Sequence, residues 1–442
     1  MTADVLPVLP LTEVSELLAR CKVSPVELTH SCLGRIESAN GQVNALVFVD
    51  PETAVVQATQ AQQRYTLGRP FGLLDGLPIV VKDNIAVSGW PMTNGLAVQR
   101  TSSTDSDIVS RLRRQGMVIL GSANMDEGAL AADGVNPHHG RVMNPGYPGY
   151  ASGGSSSGSA AAVAAGFCCA ALGTDTLGSV RLPAAYCGLV GFKPSHGRLS
   201  TKGIISLLPE LDAVGPITRS VADVVHLMTE LGGWIVSIQQ SPLGRLRWGV
   251  PDRFSEEELA VDVQVPFESA LADLSAVVRP QSVTFRHWDP ATLRRSGLLL
   301  AEHHAACHWT DPASAYSARL KSMLQYGRGA SADRLARAQT CVLESQSDLI
   351  GCFAEVDVIL MPTAPQTAFA SDTSAPVNQA NYTALANAAG CPSISIPCRT
   401  PEGGRPAGLQ LMSAPGSDEK LLAWALQVER LLADCQVIGR VG

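Results

Sequence analysis

Residues 151–181 read ASGGSSSGSAAAVAAGFCCAALGTDTLGSVR, two loops dense in Gly, Ser and Thr separated by an apolar stretch. The alanine-rich part from Ser155 to Gly166 predicts a helix, because alanine loses least on entering one, and Phe167 to Leu172 predicts a buried strand. Loops of this composition bring backbone N–H groups close to whatever occupies the space beside them. The pair suits an anion, a phosphate or a tetrahedral oxyanion, and composition does not choose among the three.

The same alternation continues on both sides. Upstream, LPIVV after Gly76 reads as a buried strand, Asp105 caps a helix through Gln115, Gly116 stops it, and MVIL is the next strand. Earlier still, Ser24, Pro25 and Glu27 supply an N-cap, a first-turn proline and a capping-box acid for a helix to about Ile36. Downstream, Thr218 to Leu231 reads as an amphipathic helix, VDVILMP and PSISIPC as strands, and Ser417 to Leu432 as a last helix. The class is therefore α/β. Residues 245–345 are more polar and irregular, with helical stretches near Leu274 and Leu335. We expect a variable lobe there that helps form a pocket within a single unit spanning 1–442.

The formal charge of −7 leaves no basic field, so nucleic-acid binding by this chain alone is not expected. The longest apolar run, Ala160 to Gly173, is too short for a bilayer, which needs about 20 residues. The start MTADVLPVLPLTEV lacks both a basic beginning and an unbroken apolar stretch, so a cytoplasmic protein without a membrane anchor is expected. With 11 Cys and no C-x-x-C pair, reduced thiols are expected, Cys168, Cys169 and Cys187 serving as core packing.

Three motif readings compete. A phosphate loop needs Gly-Lys-Ser/Thr, and no Gly-Lys dipeptide occurs. Gly154-Ser155-Ser156-Ser157-Gly158 matches G-x-S-x-G and nominates Ser156, but that motif requires a strand just before it, and NPGYPGYAS is a broken loop. EHHAACH puts His304 and His308 on one helical face, which invites a metal, yet lacks the glutamate placement of a zinc protease; a helix surface or interface is the blander reading.

Taken together, GGSSSGSAAAVAAG and LGTDTLGSVRLPAAYCGLVGFKPSHGRLS resemble the amidase signature family. So do GLPIVVKDNI, ANMDE, NPHHGRVMNP, LDAVGPITRSVAD, MPTAP and PAGLQLM, in the family's order, over about three quarters of the chain and weakest between Arg245 and Ser345. The resemblance implies a large mixed twisted β-sheet covered by helices on both faces. It also implies a metal-free and cofactor-free amidohydrolase of linear amides. In the matching segments, Lys82 becomes the base, Ser155 the relay behind a cis Gly154–Ser155 peptide, and Ser179 the nucleophile. The N–H groups of Thr176, Leu177, Gly178 and Ser179 become the oxyanion hole.

Those residue types fit the chemistry. A serine hydroxyl needs a base, and a lysine serves only if burial leaves it neutral. Asp175 and Arg181 are expected to brace the loop, and Ser156, Ser157 and Ser159 to supply helix-start hydroxyls. Leu177 departs from the family, which has glycine there, and either packs into the core or narrows the acyl pocket. The substrate implied is a small-molecule amide, the partner a second copy of the chain or an amidotransferase-type subunit. Two rivals remain: the glutamine-hydrolysing subunit of a tRNA-dependent amidotransferase, and a catalytically silent scaffold.

Overall fold

The computed structural model describes residues 3–237, 242–252, 259–401 and 403–438. Eleven strands form one mixed sheet. In chain order they are β1 (Leu46–Val49), β2 (Pro78–Lys82), β3 (Val118–Ala123), β4 (Ala170–Asp175), β5 (Val190–Lys193) and β6 (Ala213–Thr218). The remainder are β7 (Trp248–Pro251), β8 (Pro280–Val283), β9 (Val358–Pro362), β10 (Ser393–Pro397) and β11 (Gly408–Met412). Their spatial order is β1-β3-β2-β4-β6-β5-β10-β11-β9-β7-β8, so the expected large mixed sheet is present.

What positions the site is the parallel trio β3-β2-β4, with β2 between its neighbours. Parallel strands carry side chains on two covered faces, and β2 and β4 are buried along their whole length. Because they run the same way, Lys82 and Asp175 stand at the same end of the sheet. The helix Ser157–Ala164 packs against both strands, and its small side chains permit close approach. A Cβ on Gly158 would sit 2.5 Å from backbone atoms of Asn124.

Most predicted elements occur with shifted ends. The helix capped by Ser24 carries the full capping box with Glu27, but runs Pro25–Val43, past Ile36, until Asn44 turns left-handed at φ 56°. Its last turns are polar, so the apolar periodicity fades before the hydrogen bonding does. The helix after β2 is capped by Ser106, not Asp105; Asp105 instead accepts from Ser88 N–H and Arg113 Nε. The strand expected at Phe167 begins three residues later, at Ala170.

Residues 245–345 supply β7 and β8 at one sheet edge, with the helices Val261–Ser275, Pro290–His308 and Ala318–Arg328 and the start of Ala332–Cys352; residues 253–258 lie outside the described residues. Among the described residues, no helix is long and apolar enough to cross a membrane. Cys168, Cys169 and Cys187 are buried free thiols, as core packing requires.

Candidate active site

Lys82, the last residue of β2, is completely buried, and its Nζ lies 2.8 Å from Ser155 Oγ and 2.9 Å from Thr174 Oγ1. Thr174 comes from the neighbouring β4 and also accepts from Asn84 Nδ2 at 3.1 Å. Burial drives the Lys82 ammonium down to about 7, against the pull of Asp126, Asp175 and Asp212. The Gly154–Ser155 peptide is cis. The Asp126 N–H holds the Ser155 carbonyl at 3.2 Å, and the Ser156 N–H donates to the Ser179 carbonyl at 3.2 Å, joining the two loops.

Ser179 opens on a cavity of about 240 Å³. Its loop is clamped from below by Asp175, whose carboxylate accepts from Gly178 N–H at 2.7 Å and Val180 N–H at 3.2 Å. The same carboxylate makes a two-pronged pair with the buried Arg181, at 3.0 and 2.9 Å. Burial alone would raise the Asp175 pKa; the Arg181 guanidinium overrides it and holds the group below the usual carboxylate range. Arg181 also reaches Gln410 at 2.6 Å and Asn387 at 2.6 Å, so Asp175 and Arg181 brace the loop. Thr176 Oγ1 donates to Asp212 at 2.6 Å, and Thr383 Oγ1 to the Leu177 carbonyl at 2.6 Å.

Of the four N–H groups expected to face an oxyanion, that of Gly178 is taken by Asp175. Those of Thr176, Leu177 and Ser179 have no acceptor among the described residues. Gly178 has φ +129°, and a Cβ there would overlap the Thr383 hydroxyl, so glycine is required. Leu177 is absent from the positive-φ residues, so leucine is conformationally acceptable at this position. Its half-buried side chain packs on the helix Pro290–His308, 2.8 Å from where a Gly297 Cβ would stand, and also lines the cavity.

Ser156, Ser157 and Ser159 do not cap the helix as expected. Ser156 Oγ bonds the backbone of Thr174, Ser159 Oγ donates to the Leu172 carbonyl at 3.0 Å, and Ser157 Oγ has no partner among the described residues. The hydroxyls of Ser156 and Ser159 stitch the helix to β4, and Ser156 is consumed in that role. In the EHHAACH stretch, His303 and His304 bond the carbonyls of Gly327 and Leu207, and His304 stacks on His308. No group of three or more His, Cys, Asp or Glu among the described residues could hold a metal. Sequence reasoning missed Thr174 and Thr383, whose hydroxyls resemble any others until β4 and a distant turn converge.

A lysine hydrogen-bonded to one buried serine, with a second serine at a cavity, suits a serine hydrolase that takes its base from lysine. The chain belongs to the Amidase family, whose profile matches residues 27–422. A glutamyl-tRNA(Gln) amidotransferase subunit from Geobacter sp. (strain M21) is 33% identical over 470 residues, covering 96% of this chain and 97% of that relative. Its counterpart from Synechococcus sp. (strain CC9605) is 32% identical, covering 92% of this chain and 93% of its own. A solved amidase structure superimposes with a TM-score of 0.88 at 31% identity, covering 96% of this chain and 100% of that one. A glutamyl-tRNA(Gln) amidotransferase subunit from Thermotoga maritima superimposes with a TM-score of 0.79 at 27% identity, covering 95% and 93%.

Proposed function

We propose that this chain cleaves a carboxamide C–N bond through Ser179, Ser155 and Lys82, releasing ammonia or an amine from a linear amide. The buried 2.8 Å contact between Lys82 and Ser155 carries the reading. With Lys82 neutral, the Ser155 hydroxyl donates across that contact and in turn takes the proton of Ser179 as Ser179 attacks the carbonyl carbon. The oxyanion is received by the N–H groups of Thr176, Leu177 and Ser179, and Gly178 shapes the loop. The proton returns through Ser155 to the leaving nitrogen as the C–N bond breaks. Water then repeats the path on the acyl-enzyme. Residues 1–442 act as one amidase unit in the cytoplasm, with 245–345 as the variable lobe. Ser179→Ala tests the assignment: it abolishes hydroxylamine-trappable acyl-enzyme and fluorophosphonate labelling, and an adduct that persisted would move the nucleophile elsewhere.

The names of the relatives favour a second, finer reading, in which the amide is glutamine and the ammonia passes to a partner protein. Glutamine hydrolysis by the purified chain, measured with and without candidate partner subunits, decides between them. Turnover only in the complex supports the second reading, and turnover of simple amides by the chain alone supports the first.

A further inference from the structure

Three carboxylates act on Lys82: Asp126, Asp175 and Asp212. Two of them are fully engaged. Asp175 is paired with Arg181 and bonded by two loop N–H groups, and Asp212 accepts from Thr176, Ser206 and the N–H groups of Leu207 and Leu208. Asp126 differs. It is completely buried, and its Oδ2 accepts from the N–H groups of Asp133 at 2.9 Å and Gly134 at 3.2 Å, while Oδ1 has no partner among the described residues. Its carboxylate lies against Gly154, where a Cβ would fall 2.8 Å from Oδ1, and its own N–H grips the Ser155 carbonyl. A buried carboxylate oxygen without a donor is costly, which sets Asp126 apart from its two satisfied neighbours.

We propose that Asp126 is the counter-charge for the ammonium that Lys82 becomes on taking the Ser179 proton, and that it joins the cavity wall to the relay serine. This rests on the reading of Lys82 as base. Asp126 is buried against the Gly154–Ser155 backbone that carries the relay hydroxyl, and burial followed by the Asp133 charge lifts its carboxyl to about 7. When the proton reaches Lys82, the anionic carboxylate stabilises the cation where no solvent can. The cavity reports to the same group: Asp133, whose N–H bonds Asp126, lines the cavity wall and pairs with Arg319 at 2.9 Å. The charged groups facing this pair are thus Lys82, Asp133, Asp175 and Asp212, with Arg319 behind Asp133 and Arg181 behind Asp175. Asp126 touches no substrate and acts as a positioning residue.

The test is the pH profile of acylation for wild type, Asp126→Asn and Asp133→Asn. Asp126→Asn removes an anion beside Lys82, so the acid limb moves down by about one unit, and the plateau rate falls about tenfold with KM little changed. Asp133→Asn lowers the Asp126 pKa, keeps Asp126 ionised further down the scale and moves the limb up. The opposite sign keeps the proposal testable should Asp126→Asn fail to fold. Limbs that coincide with wild type in both variants overturn the proposal while leaving the relay intact. A wild-type profile without an acid limb would instead sink the role of Lys82 itself.

Discussion

The sharpest test of the relay is the proton affinity of Lys82. Moving this group from 10.5 to about 7 is a net preference for the neutral form of about 5 kcal/mol at 1.36 kcal/mol per unit, burial outweighing the carboxylates that oppose it. At pH 7 about half of the side chains are then neutral, against roughly 3 in 10,000 for a lysine in water, a gain in available base of about 1,500-fold. Burial disfavours the charged form, the protonated form cannot accept, and so activity rises with pH. The burst rate of acylation on a chromogenic anilide, followed from about pH 5 to 9, should show one acid limb of unit slope near neutrality and a plateau above. A limb near the value of an exposed lysine would refute the reasoning, because it would mean that Lys82 is solvated in the working enzyme. A profile that stayed flat would refute the use of lysine as base.

Ser155→Ala interrupts the proton path without removing the nucleophile and should lower kcat by about 10²–10⁴, read by steady-state kinetics. Arg181→Met strands a buried Asp175 and should destabilise the protein by about 3–5 kcal/mol in chemical unfolding, whereas Asp175→Asn combined with Arg181→Met should recover part of that loss; an equal loss in both would deny the pairing. Leu177→Gly removes a side chain wedged between the nucleophile loop and Gly297, and kcat/KM should rise most for bulky acyl groups along a size ladder; a uniform change would limit Leu177 to a backbone role. Activity should survive prolonged exposure to EDTA, and loss restored by zinc would reopen the His303 to His308 stretch.

The α/β alternation was legible because strands such as LPIVV are uniformly apolar and bounded by Gly or Pro, the mark of a strand buried on both faces. Lys82, Ser155 and Ser179 were nominated by resemblance alone, and the structure joins Lys82 to Ser155 directly and the two serine loops through the Ser156 N–H. Local chemistry failed where a tertiary partner outbid a local one. Ser156 bonds β4 instead of capping its helix, and Asp105 serves Ser88 and Arg113 while Ser106 caps. The pull of Asp126, Thr174 and Asp212 on this site was invisible because their separations along the chain hide a convergence that only the sheet creates.

The groups around Lys82 arise from β2, β4 and their loops in one part of the sheet, while the opposite cavity wall, including Leu298 and Met323, follows β8 at the far edge. The cavity is therefore shared between two distant parts of the chain, which touch where Leu177 packs on Gly297 and where Asp133 pairs with Arg319. Grafting the Pro290–Arg328 segment from a relative into this chain ought to alter substrate preference only if the residues facing Leu177 and Asp133 travel with their contacts intact.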